Sequence, residues 1–468
     1  MNILHIATEA VPFAKTGGLS DVVGALPKAL AASGSDDVRV ALPLYASVPK
    51  LYRRKMQSVG EVVVPLGWRK QPCRIYSLKH DGVLFYFFEN EFYFERDNVY
   101  GYHDDHERFA FFAKAVLTAL PKLGFRAEVL HMHDWHTALV SLFLKTQFYQ
   151  DPYYDKIKTV LTIHTMAFQG HFGSEVLGDV LGLDDRFLSA GELGKDGGIS
   201  YLQGGIRYAD AVTTVSPAYA DELRAEGSDY PTDAYDKLVG IINGIDTKEF
   251  DPSKDKEIPE NYDAKTIKNR ARNKRKLKEE LELTKGDQPL ISVIMRLSRE
   301  KGVEVLLAAL ERILAQGAQV AVLGLGDYCY QEELKALEAR FKGQLAVCLR
   351  FDERLAKRIY AGTDMLLLPS LTESCGLGAM LAQRYGAVVL ASAVGGYKNS
   401  VVPQGEKNAN GFLFEGNNEE QMLLVIREAL EMYPNKRQWN KLIRTAMAED
   451  HSWQRSAQEY IALYRTLL

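Results

Sequence analysis

The sequence predicts an α/β protein made of two doubly wound domains. Short apolar runs typical of buried parallel strands alternate with helical patterns in the first half, and the alternation begins again near residue 290. With 468 residues, the chain is too long for one ordinary hydrophobic core. A basic, glycine-containing loop follows the first strand of each half, at residues 15–18 and 296–302. We therefore place one domain at residues 1–246 and a second at 247–450, with residues 451–468 as a helix that crosses back to the first.

Composition excludes several functional classes. A net charge of −4 gives no support for nucleic-acid binding as the main activity. The N-terminus lacks the features of a signal peptide, and no apolar run is long enough to span a bilayer, so we expect no membrane partner. The four cysteines are widely spaced without a C-x-x-C pair, which predicts neither a disulfide framework nor a zinc site and fits a reducing cytoplasm.

The loop after the first strand has the layout of an anion site. Residues 2–7 read as a buried strand, and a helix is predicted from Ser20, which we expect to cap it. Glycines 17 and 18 let backbone amides approach an anion, and Lys15 adds a full charge. Strand–Gly–Gly–helix turns also occur for packing reasons, so this loop alone leaves both interpretations open.

Two further strands of the first half end in polar residues. Residues 128–134 end in Asp134, and residues 159–164 end in His164. The carboxyl ends of strands in an open parallel sheet face the ligand crevice, so these residues favour a site there over a purely structural role. A hairpin is predicted around Asp81 and Gly82.

The second half carries its own candidate residues. Arg296 and Lys301 lie in the loop after its first strand. If the two domains face each other across a cleft, Lys15, Arg296 and Lys301 can converge on one diphosphate. The basic run at residues 265–278 is interpreted instead as the solvated face of a charged helix.

These residues belong to strings that resemble a known family. The chain is similar to bacterial glycogen synthases and plant starch synthases, retaining glucosyltransferases of the GT-B architecture that use ADP-glucose. The similar strings run from end to end and lie at residues 15–27, 100–102, 107–109, 131–136, 167–170, 215–217, 243–246, 296–297, 301–302, 369–370, 373, 375–377 and 395–396. The resemblance implies transfer of glucose from ADP-glucose to the non-reducing end of an α-1,4-glucan with retention of configuration.

The resemblance also implies residue roles. Glu373 would lie beside the donor glucose and help a cationic transition state, His164 would contact the donor sugar, and Asp134 would lie on the acceptor side. Lys15 would act in catalysis by stabilising the leaving ADP. The residues implied to hold the donor diphosphate and nucleotide are Lys15, Gly17, Gly18, Arg296, Lys301, Phe351, Cys375, Gly376 and Leu377. Those implied for the sugar and acceptor side are Asp21, Asn243 and Tyr93.

No metal and no cofactor are expected. The sequence shows no D-x-D pair of the kind that holds a metal in the other glycosyltransferase architecture, and three basic side chains can neutralise a diphosphate in its place. The expected partners are ADP-glucose and an α-1,4-glucan. A bacterial cytoplasm is the expected location, ahead of a plastid stroma.

Several positions depart from the family pattern. Thr165 stands where the family usually has asparagine, Gln203 where it has lysine, and Gly378 and Ala379 where it has Thr-Gln. In the segment that is Thr-Gly-Gly-Leu in the family, Val394 replaces the threonine and Tyr397 replaces the leucine. These departures leave open a diverged paralogue with weak activity or a UDP-glucose donor, and a non-catalytic glucan-binding or regulatory protein. Retention of Lys15, Arg296, Lys301 and Glu373 favours an active synthase.

Overall fold

The computed structural model describes residues 1–34, 36–225, 236–416 and 418–468. The chain divides into two compact units. Unit 1 contains Met1–Val215, Ala220–Gly244 and Trp453–Leu468, and unit 2 contains Ser216–Tyr219 and Ile245–Ser452.

Unit 1 is built on a mixed sheet that has nine strands within the described residues, in the order β12-β11-β7-β6-β1-β2-β5-β4-β3. The strands from β12 to β5 run parallel, and β4 and β3 continue as antiparallel neighbours. A separate three-stranded sheet contains β8, β10 and β9. The strands are β1 Asn2–Ile6, β2 Asp37–Pro43, β3 Gln57–Leu66, β4 Arg69–His80, β5 Val83–Glu89, β6 Val129–His133, β7 Lys158–Ile163, β8 His171–Gly173, β9 Gly194–Lys195, β10 Gly198–Ser200, β11 Ala211–Thr214 and β12 Leu238–Gly240.

Helices of the first half connect and cover these strands. The longest, α1, α4 and α5, bury most of their residues, as expected of helices that pack on a sheet. The helices are α1 Gly18–Ala32, α2 Lys50–Arg53, α3 Glu91–Phe94, α4 Asp105–Ala119, α5 Trp135–Thr146, α6 Tyr201–Tyr208 and α7 Pro217–Ala225.

Unit 2 has one parallel sheet, which has six strands within the described part of the chain, in the order β15-β14-β13-β16-β17-β18. This order is that of a doubly wound nucleotide-binding domain, whose ligands bind at the carboxyl edge. The strands are β13 Leu290–Ile294, β14 Gln319–Leu323, β15 Leu345–Cys348, β16 Met365–Leu368, β17 Val388–Ser392 and β18 Gly411–Phe414. The remaining helices are α8 Arg270–Glu280, α9 Val303–Ala315, α10 Tyr328–Arg340, α11 Glu353–Gly362, α12 Leu377–Arg384, α13 Tyr397–Ser400, α14 Glu419–Met432, α15 Lys436–Ala448 and α16 Trp453–Leu467.

The doubly wound α/β prediction is confirmed, and so is the hairpin, in which His80 pairs with Val83. The prediction that Ser20 caps the first helix is wrong. Helix α1 begins at Gly18 after Gly17, and the Ser20 hydroxyl, inside the first turn, donates to Gly17 O at 2.6 Å. The interpretation of the basic run as a solvated face is wrong in part, because Arg270 and Lys278 of α8 are buried.

The C-terminal helix α16 belongs to unit 1 and packs against α1. Its Trp453, Tyr460 and Tyr464 side chains join one hydrophobic cluster with Val22 of α1. The burial of these three large aromatic side chains stabilises the packing of α16 on unit 1. Among the described helices, none combines the length and apolar character needed to cross a bilayer.

Candidate active site

The loop between β1 and α1 contains an internal carboxylate. Glu9 is buried, and its carboxylate accepts hydrogen bonds from Thr16 N at 2.5 Å and Gly17 N at 3.2 Å. The Tyr100 hydroxyl donates to it at 3.1 Å. An anion role for the Gly17 amide therefore requires Glu9 to share or release that amide. Sequence reasoning missed Glu9, although its place just after β1 was a usable signal.

Lys15 lies on the solvent side of the same loop. Its Nζ is 3.0 Å from Asp21 Oδ1, with the two side chains 41% and 46% exposed. A pair this exposed contributes little to stability, so an incoming anion can compete for Lys15 at low cost. Gly18 opens α1, and a Cβ placed there would meet no atom within 4 Å, so space is open at this point.

The carboxyl end of β6 is strained at Asp134. Its backbone has φ 58° and ψ 179°, a region that residues other than glycine rarely adopt. The carboxylate accepts from His164 N at 2.7 Å, which joins the ends of β6 and β7. Burial raises the pKa of Asp134 to about 7, against the smaller lowering effect of the His164 and Thr165 amides. The two predicted residues are thus brought together.

This raised pKa predicts a pH-dependent stability. Between about pH 4 and pH 7 the unfolded chain ionises Asp134 while the folded chain keeps it protonated, so the folded state binds more protons and the free energy of unfolding falls as pH rises. We expect wild type to lose on the order of 2 kcal/mol relative to Asp134→Asn between pH 5 and pH 8. Urea unfolding of both proteins at each pH measures this, and a constant difference would contradict it.

His164 is the outer member of a buried histidine chain. His164 Nε2 lies 3.0 Å from His133 Nδ1, and His133 Nε2 lies 3.1 Å from His5 Nδ1. Burial lowers the pKa of His164 and of His5 to about 3, and that of His133 well below its usual value, so all three are neutral at pH 7. Each ring then has one N–H, and the two bonds must run in the same direction.

That direction fixes the tautomer of His164. Among the described residues, His5 Nε2 has no hydrogen-bond partner. If His164 donated to His133, and His133 to His5, then His5 would carry a buried N–H on Nε2 without an acceptor. A buried N–H without an acceptor is rarer than a buried acceptor without a donor. The favoured chain donates from His5 to His133 and from His133 to His164, which leaves His164 with its hydrogen on Nδ1 as a neutral donor.

Three histidines lie close enough to consider a metal. Of the described residues, His5, His131 and His133 place ligand atoms within 4.8 Å of one another. His131 already uses both nitrogens, at 2.6 Å from Tyr464 OH and 2.6 Å from Thr162 Oγ1. An ion would have to break these bonds, so the donor set fits a hydrogen-bonded core better than a metal centre.

Two residues implied for the acceptor side, Tyr93 and Asn243, are buried. Tyr93 is fully buried and its hydroxyl donates to Glu107. That prediction is wrong, because a sugar has no face of Tyr93 to contact. Asn243 is 4% exposed, and among described atoms its Oδ1 has no partner. A buried amide oxygen without a partner is costly, so Asn243 keeps an acceptor free for another group.

The site of unit 2 centres on Glu373, just after β16. Lys301 Nζ lies 2.8 Å from Glu373 Oε2, with the two side chains 28% and 15% exposed. Gly376 N donates to Glu373 Oε1 at 3.3 Å. Gly376 lies between Cys375 and Leu377 and directly precedes α12, so the carboxylate lies at the positive end of that helix. The structure thus joins three of the residues predicted for unit 2.

Tyr397 is a functional candidate that sequence reasoning missed. Its hydroxyl donates to Glu373 Oε2 at 3.0 Å and lies 3.2 Å from Ser370 Oγ. Burial raises the pKa of Tyr397 well above its usual value, so the phenol stays protonated and donates. The leucine of the family pattern has no such donor, so the departure itself was the available signal.

The loop after β13 brings Arg296 and Lys301 to the carboxyl edge. A Cβ on Gly302, at φ +75°, would lie 1.8 Å from Pro369 O, so only glycine lets this loop lie against the end of β16. Arg296 is 64% exposed and pairs with Glu300. Phe351 is 77% exposed, which leaves its ring face available for stacking.

Comparison with known proteins relates this geometry to a family. A model described as starch synthase catalytic domain matches residues 2–233, and one described as glycosyl transferases group 1 matches residues 274–445. A glycogen synthase of Anoxybacillus flavithermus is 40% identical over 476 residues, covering 100% of this chain and 98% of that protein. A glycogen synthase of Clostridium novyi is 42% identical over 477 residues, covering 100% and 99%.

The chain belongs to the glycogen and starch synthase family. The structure agrees, since the catalytic domain of starch synthase IV from Arabidopsis thaliana, solved bound to ADP and acarbose, superposes with a TM-score of 0.90 at 31% identity over 99% of both chains. This synthase-family chain is therefore a glucosyltransferase of glucan synthesis with the GT-B fold.

The structure separates the departures of this synthase from the family pattern. Gln203 of α6 is buried, and its Nε2 donates to the carbonyls of Ala190, Glu192 and Gly194 at 2.8 to 3.1 Å, so it holds the loop at residues 190–194. At Gly378 a Cβ would come only within 3.8 Å of Leu368, so the missing side chain leaves space.

Three other departing positions are occupied by local packing or a local hydrogen bond. Ala379 is fully buried in a hydrophobic cluster, and Val394 packs against that cluster. Thr165 Oγ1 accepts from Ala167 N at 3.4 Å, a bond within its own loop. Of the six positions, Tyr397 contacts Glu373 directly, and Gly378 is the one at which the missing side chain leaves space near the Glu373 loop.

Proposed function

We propose that the protein transfers glucose from ADP-glucose to the non-reducing end of an α-1,4-glucan with retention of configuration. The observation that carries this proposal is the fixed Glu373 carboxylate, held by Lys301 at 2.8 Å and Tyr397 at 3.0 Å at the start of α12. It lies at the carboxyl edge of a doubly wound sheet, where such domains bind nucleotides.

In the proposed chemistry the basic side chains stabilise the leaving group and the carboxylate stabilises the sugar ring. The bond between the anomeric carbon and the diphosphate oxygen breaks, the acceptor hydroxyl oxygen forms a bond to the same carbon, and the hydroxyl proton passes to the leaving diphosphate. Negative charge grows on the leaving ADP, where Arg296 and Lys301 stabilise it, and positive charge grows on the ring, where Glu373 does so. Fixed charges of this kind lower the barrier because they need no reorganisation during the reaction.

Unit 1 supplies the second set of roles in the proposal. Neutral His164 donates through Nδ1 to the donor sugar, and Asp134 lies on the acceptor side. Lys15, with the open backbone at Gly18, binds the donor diphosphate, and Asp21 holds Lys15 until the donor arrives. That Lys15 and the cations of unit 2 meet the same diphosphate stays a prediction.

ADP-glucose is the donor we propose. The starch synthase IV structure holds ADP, and at 31% identity its fold matches this chain throughout. The exposed Phe351 ring is suited to stack on adenine. The space at Gly378 keeps UDP-glucose as the second candidate.

Incorporation of labelled glucose into glycogen tests the proposal. Purified protein is assayed with ADP-glucose and UDP-glucose side by side, with EDTA present because the three cations are proposed to act without a metal. Strong incorporation from ADP-glucose alone supports the proposal. Preference for UDP-glucose would overturn the donor assignment, and no incorporation from either, with ADP still bound, would overturn the catalytic one. We place this activity in the bacterial cytoplasm, which the bacterial relatives and the four free cysteines support.

Replacing Tyr397 by phenylalanine should slow turnover by about tenfold or more. The change removes one hydrogen bond to a carboxylate, a bond of on the order of 1.5–3 kcal/mol, and leaves Lys301 and Gly376 on Glu373. Tyr385→Phe is the matched control, because Tyr385 is also buried and donates to a carboxylate of unit 2, that of Asp255. Initial rates and melting temperatures of both variants are compared. Equal loss of turnover in the two variants would contradict a role for Tyr397 at the site.

A further inference from the structure

Unit 2 contains a cavity at the edge of its sheet opposite to Glu373. The cavity has a volume of about 1120 Å³ and is formed by α8, the segment before β13 and the α14–α15 turn. Its lining includes Pro289, just before β13, and Asp364, just before β16. Arg296 and Glu373 follow the other ends of these strands, so each strand's length separates the cavity from the proposed active site.

The cavity has an excess of positive charge. Within the described part of the chain, seven basic and three acidic side chains line it, in a protein whose net charge is −4. The deepest acid, Asp364, is already neutralised by Lys274 Nζ at 2.6 Å and also accepts from Tyr433 OH at 3.1 Å. The excess cations therefore have no matching acid within the cavity.

The cations are also held in place. Lys278 is 4% exposed and donates to Gly286 O at 2.7 Å. Lys436 Nζ lies 3.4 Å from the centre of the Tyr433 ring. Burial, with repulsion from Lys274, lowers the pKa of Lys278 and of Lys436. Cations that are crowded and partly desolvated gain from an anion that neutralises them.

We propose that this basic cavity binds a small organic polyphosphate. The volume suits a nucleotide-sized molecule, and several fixed cations match an anion with more than one phosphate group. A nucleic-acid strand fits less well, because Arg270 and Lys278 of α8 are recessed and the chain as a whole is acidic. This site does not depend on the proposed function, since binding here requires no turnover.

Basic residues of α8 and α15 allow two double variants that remove the same charge, one inside the cavity lining and one outside it. Arg275→Gln with Lys436→Gln removes two exposed cations that line the cavity. Arg272→Gln with Lys276→Gln removes the same charge from residues of α8 outside the lining, which pair with Glu260 and Glu279. All four side chains are exposed, so the fold should survive in both variants.

Calorimetric titration with inorganic tripolyphosphate tests the proposal, with orthophosphate and sodium chloride of matched ionic strength as references. We expect binding to wild type that is at least about tenfold tighter than for orthophosphate. It should weaken about tenfold or more in the lining variant and less than about threefold in the α8 control. Lys301→Met, which alters the other edge of unit 2, should retain it, and hydrogen exchange should slow at residues 270–280 and 433–443.

Other outcomes would overturn the proposal. Equal weakening in both double variants would show diffuse attraction to a basic surface. Loss of binding in Lys301→Met would place the anion at the proposed active site. Equal affinity for orthophosphate would overturn the polyphosphate class, and tighter binding of a single-stranded oligonucleotide would point to a nucleic acid. Absence of binding at millimolar concentration would refute the site.

Discussion

Glu373→Gln should reduce turnover about 10³-fold while the protein stays folded. Glutamine keeps the shape and the acceptor for Gly376 N, but it removes the charge that faces the developing positive charge on the sugar ring. Lys301 then has no carboxylate partner, yet its side chain is 28% exposed, so water can solvate the ammonium. A charge effect of this kind appears in turnover far more than in substrate affinity.

Steady-state kinetics with labelled ADP-glucose measures this change, with melting temperature as the check on folding. Glu420→Gln is the control, because Glu420 of the same unit also pairs with a basic residue, Arg312 at 2.7 Å, at an exposed position. It should leave turnover within about twofold, since exposed pairs contribute little. A Glu373→Gln protein with near-normal turnover would show that the carboxylate is not at the reacting sugar.

Lys15→Ala should reduce turnover about 10²-fold, the second largest effect we expect. The lysine is proposed to meet charge that grows on the leaving diphosphate, so its loss acts on the transition state. The Lys15–Asp21 pair is about half exposed, so stability should change by less than about 1 kcal/mol.

Lys28→Ala gives the matched control in the same unit, because Lys28 of α1 also pairs with an aspartate, Asp81 at 2.8 Å. Single-turnover rates and ADP binding are measured for both variants. We expect only Lys15→Ala to slow the chemical step. Equal rates in the two variants would mean that Lys15 does not reach the donor, and the shared-diphosphate prediction would then be wrong.

In both units the structure has its own carboxylate at a place that the sequence assigned to a bound anion. Glu9 accepts from the Gly17 amide before α1, and Glu373 accepts from the Gly376 amide before α12. A carboxylate at a helix start satisfies amides that would otherwise have no partner. In unit 1 an incoming phosphate therefore competes with Glu9.

The sequence by itself determined the fold class and the strand ends. Short apolar runs and helical patterns are local signals, so they were sufficient to predict alternating strands and helices in both halves. Residues at the end of a predicted strand or in the loop after it, such as Asp134, His164 and Arg296, are expected at the carboxyl edge of a parallel sheet. The family strings then added the roles that no spacing could give.

The tertiary structure alone decided which side chains share a bond and which are buried. Tyr397 meets Glu373 across 24 positions, and Tyr464 meets His131 across 333. The buried tyrosine at 93 and the basic cavity beside α8 likewise depend on which elements pack together. Local patterns specify neither, because burial and hydrogen-bond partners are properties of contacts between distant segments, and those contacts exist only once the chain has folded.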